Sequence, residues 1–175
     1  RRLSLLPRKK PRGLRRRLQE IHAMPKWAVL EYSELSDEAK GRKYWDFKLP
    51  VDSGLVEGPH ASHQIRKLCA EQLLQAGRAL RDSIKGPGFL KVVVSIDDPA
   101  WFGSRVTVFQ DREYHEGFFN RNDPEQTWVE LPKSRSFLAE WGIQADVTER
   151  GLRETIRDED SSFSYDGEIW FFTFE

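Results

Sequence analysis

Two segments of this chain are apolar on both faces at strand spacing. Phe89 to Ile96 carries the β-branched run Val92-Val93-Val94 between Gly88 and Asp97-Asp98-Pro99. In Glu168 to Phe174 the side chains of Trp170, Phe172 and Phe174 alternate with those of Ile169 and Phe171. Successive strand residues point to opposite faces, so neither segment has a wet side, and each belongs inside a sheet that is covered on both faces. A partner supplying part of that cover is the alternative for the last strand.

Shorter strands fit around these two. Arg105-Val106-Thr107-Val108-Phe109 reads as the antiparallel neighbour of the valine strand, and Tyr44 to Leu49 as a strand closed by Pro50. Trp128 to Leu131 is a further short strand, and Leu152 to Arg157 pairs with Glu168 to Phe174 as a terminal hairpin. From Ser62, a suitable N-cap, to Lys85, the residues Ile65, Leu68, Cys69, Leu73, Ala76, Leu80 and Ile84 keep to one face of a helix that Gly86-Pro87-Gly88 stops. Leu14, Leu18 and Ile21 predict an earlier helix that Pro25 ends or kinks, with Trp27 and Leu30 on a second short helix and Ser33 to Arg42 as a loop. A short helix with Tyr114, Phe118 and Phe119 is expected before Pro124, and another from Ser136 to Trp141 with Gly142 as its cap. This mixed order predicts an α+β fold, a mainly antiparallel sheet with helices packed on it, in a single compact domain over 13–175 behind a basic arm at 1–12.

The length of 175 residues suits one domain with a real core. Lys plus Arg equals Asp plus Glu at 28 each, which removes any argument for polyanion binding from overall charge. The distribution is uneven: residues 1–22 hold seven Arg and two Lys against Glu20, leaving the rest of the chain acidic. With Cys69 alone, no internal disulfide and no four-cysteine zinc site can form, which fits a reducing compartment, and cytoplasm is the expected location. No apolar stretch is long enough to span a bilayer, so no membrane association is expected.

The familiar motifs of catalysis fail one by one. There is no glycine-rich dinucleotide or phosphate loop, and His115-Glu116 lacks the second histidine four residues on, where Phe119 stands. His60 and His63 share a turn without further ligands. Asp158-Glu159-Asp160-Ser161-Ser162 begins like a calcium loop but has Phe163 at the glycine position and Ile169 at the bidentate position. Cys69 sits on a helix's apolar stripe, as a small core residue does. No serine elbow is present. No metal and no cofactor is expected.

Two clusters combine hydrogen-bonding groups with aromatic rings: Asp97, Asp98, Trp101 and Phe102 in the loop after the valine strand, and Asn120, Arg121, Asn122 and Asp123 after Phe118-Phe119. Either can line a pocket. The structural alternative is that Asp98-Pro99 starts a turn, Trp101 and Phe102 plug a core edge, and Asn120 to Asp123 cap a helix.

Leu3-Ser4-Leu5-Leu6-Pro7-Arg8-Lys9-Lys10, the Arg-Gly-Leu-Arg-Arg-Arg run at 12–17, Tyr44-Trp45 with Lys48-Leu49-Pro50, Arg66-Lys67-Leu68-Cys69, Phe118-Phe119-Asn120-Arg121-Asn122, Glu140-Trp141-Gly142 and Glu168-Ile169-Trp170-Phe171 together resemble an uncharacterised bacterial domain family of unknown function. The resemblance implies a bacterial intracellular protein and no activity.

Three functions are expected in descending order. The first is a non-catalytic protein-binding module, with a bacterial immunity protein that masks a toxin as its concrete form, because an acidic body with acids beside aromatic rings suits a basic partner. The second is nucleic-acid binding in which Arg8, Lys9, Lys10, Arg12, Arg15, Arg16 and Arg17 contact phosphates; docking of this arm on the chain's own acidic body is the intramolecular alternative. The third is an enzyme with a pocket between Asp97 and Arg121, in which an acid of raised pKa acts as base.

Overall fold

The computed structural model describes residues 13–50, 63–98, 103–119, 126–157 and 164–175. Helix α1 spans Leu14–Ser33, the single turn α2 Asp37–Lys40, α3 His63–Ser83, α4 Arg112–Phe119 and the short α5 Phe137–Glu140. The strands are β1 Tyr44–Lys48, β2 Lys91–Asp98, β3 Arg105–Phe109, β4 Gln126–Leu131, β5 Thr148–Arg157 and β6 Ser164–Phe174. They form one six-stranded sheet in the order β1-β3-β2-β6-β5-β4, with every neighbouring pair antiparallel. The α+β class with helices on a mainly antiparallel sheet is therefore the fold. The two doubly apolar strands, β2 and β6, lie side by side at its centre.

Alternation divides each central strand between two environments. Val92, Val94 and Ile96 of β2, Val106 and Val108 of β3, and Trp170, Phe172 and Phe174 of β6 join the core beneath α1 and α3. Helix α3 crosses this face so closely that a Cβ at Gly77 would stand 2.6 Å from the Phe174 ring and 2.8 Å from Val94. The absence of a side chain at that position lets helix and sheet meet. Helix α1 packs mainly on α3 and buries Ile21, Met24, Ala28 and Tyr32, spaced by three or four residues along one face.

Two expectations change here. Pro25 neither ends nor splits α1, which continues through it to Ser33. An interior proline costs about 3 kcal/mol, and the buried residues on both sides of it, Met24 and Ala28, hold the two halves against α3. The loop expected over Ser33 to Arg42 contains α2, capped by Ser36, whose hydroxyl accepts from the Ala39 amide at 3.1 Å. The hairpin strands also extend further than their apolar cores, to Thr148–Arg157 and Ser164–Phe174. The proposed Ser62 cap, the arm at 1–12 and the acidic run Asp158 to Ser162 lie outside the described residues.

Candidate functional site

Among the described residues, the opposite face of the sheet is covered only in part. Helix α4 lies over one end of it, where Phe89, Phe109, Phe118, Phe119 and Phe171 form a second, smaller apolar cluster. His115 joins this cluster, with ring centroids 5.1 Å from Phe109 and 5.4 Å from Phe119. Burial among these rings pushes its pKa down, Lys91 pushes it further, and Glu116 opposes both. Beyond α4 the face opens into a cleft of about 480 Å³.

All six strands contribute to this cleft through residues of one parity. Tyr44 and Asp46 come from β1, Arg105, Thr107 and Phe109 from β3, Ser95 and Asp97 from β2, Ile169 and Phe171 from β6, Glu154 from β5 and Trp128 from β4; Tyr114 and Phe118 reach in from α4, and Gly103 from the turn before β3. Register sets their order. Tyr44 faces Phe109, Asp46 faces Thr107, Ser95 faces both Arg105 and Phe171, Asp97 faces Ile169, and Trp128 faces Glu154. The lining therefore runs diagonally from the Tyr44 corner to the Trp128 corner. At the first corner Tyr44 and Tyr114 stack with centroids 5.0 Å apart and planes 3° from parallel, although each is over a third exposed (41% and 38%).

The polar groups divide into a satisfied pair and a costly acid. Asp46 accepts from the Thr107 hydroxyl at 2.6 Å and from Arg105 Nη1 at 3.2 Å, while Arg105 Nε donates to the Gly103 carbonyl at 3.1 Å. Asp97 is anchored by its backbone, whose N–H donates to Ser104 Oγ at 3.1 Å. Burial pushes the Asp97 carboxyl up from its ordinary range, and the positive charge of Arg105 and the Gly103 amide hold it partly back. Gly103 is pressed against Asp97: a Cβ there would fall on Oδ2. Glu154 is only 7% exposed. Trp128 Nε1 is buried and has no hydrogen-bond partner among the described residues. Chemically, the cleft offers carboxylates, one guanidinium already engaged, and aromatic faces.

Of the residues singled out in the sequence, Asp97 lies in the cleft. Asp98 ends β2 opposite Glu168, and its side chain, with Trp101, Phe102, Asn120, Arg121, Asn122 and Asp123, lies outside the described residues. Both flagged segments nevertheless adjoin the cleft in the chain, one ending just before Gly103 and the other starting just after Phe119. Sequence reasoning missed Asp46, Ser95, Arg105, Thr107, Trp128 and Glu154. For Asp46, Ser95, Arg105 and Thr107 the signal is a polar residue at every second position of an otherwise apolar strand, as in Arg105-Val106-Thr107-Val108 and Ser95-Ile96-Asp97; Trp128 and Glu154 carry no such signal.

Elsewhere the described residues hold no group of three or more metal-ligating side chains. His63 packs edge-on against Trp141, with centroids 5.4 Å apart. Cys69 is fully buried, and burial pushes its thiol up to about 12, in keeping with a core role. Of the basic set, Arg8, Lys9, Lys10 and Arg12 lie outside the described residues, while Arg15, Arg16 and Arg17 belong to the first turn of α1. Arg16 pairs with Glu20 of the same helix at 2.9 Å, a local i,i+4 contact. No helix among the described residues is long and apolar enough to cross a membrane.

These features define an α+β domain with α1 and α3 on one face of an antiparallel sheet and, on the other, α4 beside a polar, aromatic-walled cleft. The chain belongs to the family described as Protein of unknown function (DUF3916), whose model matches residues 22–173. Comparison with curated proteins and with solved structures finds no match.

Proposed function

We propose that the protein is a non-catalytic binding module and that the open-face cleft is its binding site. One observation carries this reading: a desolvated acid, Asp97, is kept on the floor of a 480 Å³ cleft to which all six strands contribute. Burying a carboxylate works against folding unless something in the site uses it. Well-defined pockets of this kind, mostly apolar with a few converging polar groups, are where ligands bind. In the cell the ligand is presented by a basic protein partner, and an immunity protein masking a toxin in the bacterial cytoplasm is the concrete form. The acidic body and the aromatic rings beside Asp46, Asp97 and Glu154 support that form.

Screening a chemically diverse fragment library by protein-observed NMR tests the site. Hits should shift the amides of Ser95, Asp97, Arg105 and Thr107 and the indole of Trp128; hits that cluster elsewhere sink the reading. Nucleic-acid binding through residues 1–17 is a separate proposal, supported by the exposure of Arg15 and Arg16 on α1. Binding of mixed RNA and DNA that falls steeply with salt and disappears on deletion of residues 1–17 is its expected result.

A further inference from the structure

We infer that the cleft takes an elongated organic cation, its ammonium or guanidinium group beside Asp97 and its body running over Ile169 toward Glu154. This rests on the cleft being the binding site and adds the chemistry of what enters it.

The charge balance comes first. Among the described residues, three carboxylates line the cleft, on Asp46, Asp97 and Glu154, against the guanidinium of Arg105. Arg105 hydrogen-bonds to Asp46 and to the Gly103 carbonyl and acts on Asp97 through its charge alone, so one guanidinium is shared between two carboxylates and a second cation beside Asp97 is favoured. An anion entering here would meet net negative charge, and a neutral molecule would strip water from Asp97 and return no counter-charge. A cation reverses that penalty and gains a charge-assisted hydrogen bond.

The walls favour the same class. Tyr44, Tyr114, Phe109, Phe118, Phe171 and Trp128 present ring faces and edges, and ring faces attract cations. At the rim, Lys43 Nζ already lies 5.9 Å from the centroid of the Tyr114 ring. The sheet sets the length. Asp97 on β2 and Glu154 on β5 are two strands apart across β6, a lateral step of roughly 10 Å at ordinary strand spacing, and Glu154 is displaced two residues along the sheet, because Asp97 and Leu152 both face Ile169 whereas Glu154 faces Gly167. One compact ammonium cannot touch both acids, whereas a chain of about six carbons with a charge at each end covers most of that distance.

A matched series separates the possibilities: 1,6-diaminohexane, hexylamine, 1-hexanol and hexanoate, each titrated into the full chain at fixed ionic strength and followed at the Asp97 amide and the Trp128 indole. The expected order of affinity is diamine, then amine, then alcohol, with no binding of hexanoate. Asp97→Asn should weaken both amines about tenfold or more. Glu154→Gln should weaken the diamine and leave hexylamine nearly unchanged, with thermal midpoints showing that both variants fold. N-acetyl-lysine methylamide distinguishes the source of the cation: binding as tight as hexylamine's identifies a partner protein's side chain, and binding by hexylamine alone identifies a free amine. Hexanol or hexanoate binding at the same signals as tightly as the amines overturns the cation and leaves the cleft as the site. Absence of cleft shifts with every probe overturns both.

Discussion

The two faces of the sheet are built from the same strands and share almost no chemistry. On the helix side, β2 presents Val92, Val94 and Ile96; on the cleft side the same strand presents Val93, Ser95 and Asp97. Strand β3 divides likewise into Val106 and Val108 against Arg105 and Thr107. One face is close-packed against α3, to the point that Gly77 has no room for a methyl group. The other keeps open volume, an acid held at a cost and an indole N–H without a partner among the described residues. Period-two alternation thus lets one strand carry stability and recognition on separate side chains, and substitutions on the two faces should have opposite consequences.

The largest expected effect lies on the helix side. Phe172 is fully buried beneath the helices, and Phe172→Ala should cost about 3–5 kcal/mol in urea unfolding. A loss under 1 kcal/mol would mean the two faces are not distinct in packing. Next comes Gly103→Ala, which drives a methyl group into Asp97 Oδ2 and should cost about 1–3 kcal/mol by overpacking. The same change should displace the acid and erase the amine-induced shifts.

Asp97→Asn should go the other way and raise stability at neutral pH. The folded pKa of Asp97 lies above its ordinary value of 3.8, so its ionisation penalises the folded state. Below 3.8 both states hold the proton and the penalty is absent; it develops as pH rises through the folded pKa and is complete above it. The wild type and variant should therefore have similar thermal midpoints near pH 3 and diverge by pH 7, the variant being the higher. A variant that melts lower at pH 7 would show that Asp97 supports the fold. The smallest effect belongs to neither face. Arg16 is 84% exposed where it meets Glu20, and Arg16→Ala should cost only about 0.3–0.5 kcal/mol, measured by urea unfolding.

Legibility from sequence followed the same division. The helix-side core was readable because its signal is continuous: Trp170, Phe172 and Phe174 alternate within one segment, and α3 repeats its apolar stripe over six turns. Strand β6 was correctly placed at the sheet's centre for that reason. The cleft was not readable, since its residues lie far apart in the chain, from Tyr44 to Phe171, and only register brings them together. The contiguous clusters that the sequence does display contribute, among the described residues, the side chains of Asp97 and Phe118 to the cleft. Pro25 misled for a physical reason of another kind: local backbone chemistry favours a break, and long-range burial of Met24 and Ala28 outweighs it.

The position of β6 has a consequence for how the chain acquires its shape. The strand latest in sequence lies between β2 and β5, so until it arrives the sheet exists as two separated fragments, β1-β3-β2 and β5-β4, each with an exposed inner edge. Its partner β2 is about eighty positions earlier, as in the pairing of Val94 with Phe172, and such distant pairing makes for slow folding. On the ribosome the sheet cannot close until Phe174 has left the exit tunnel, and until then the apolar inner edge of β2 is open to any passing strand. A chain cut short before Ser164 would stay in that state, prone to aggregation before it could ever bind.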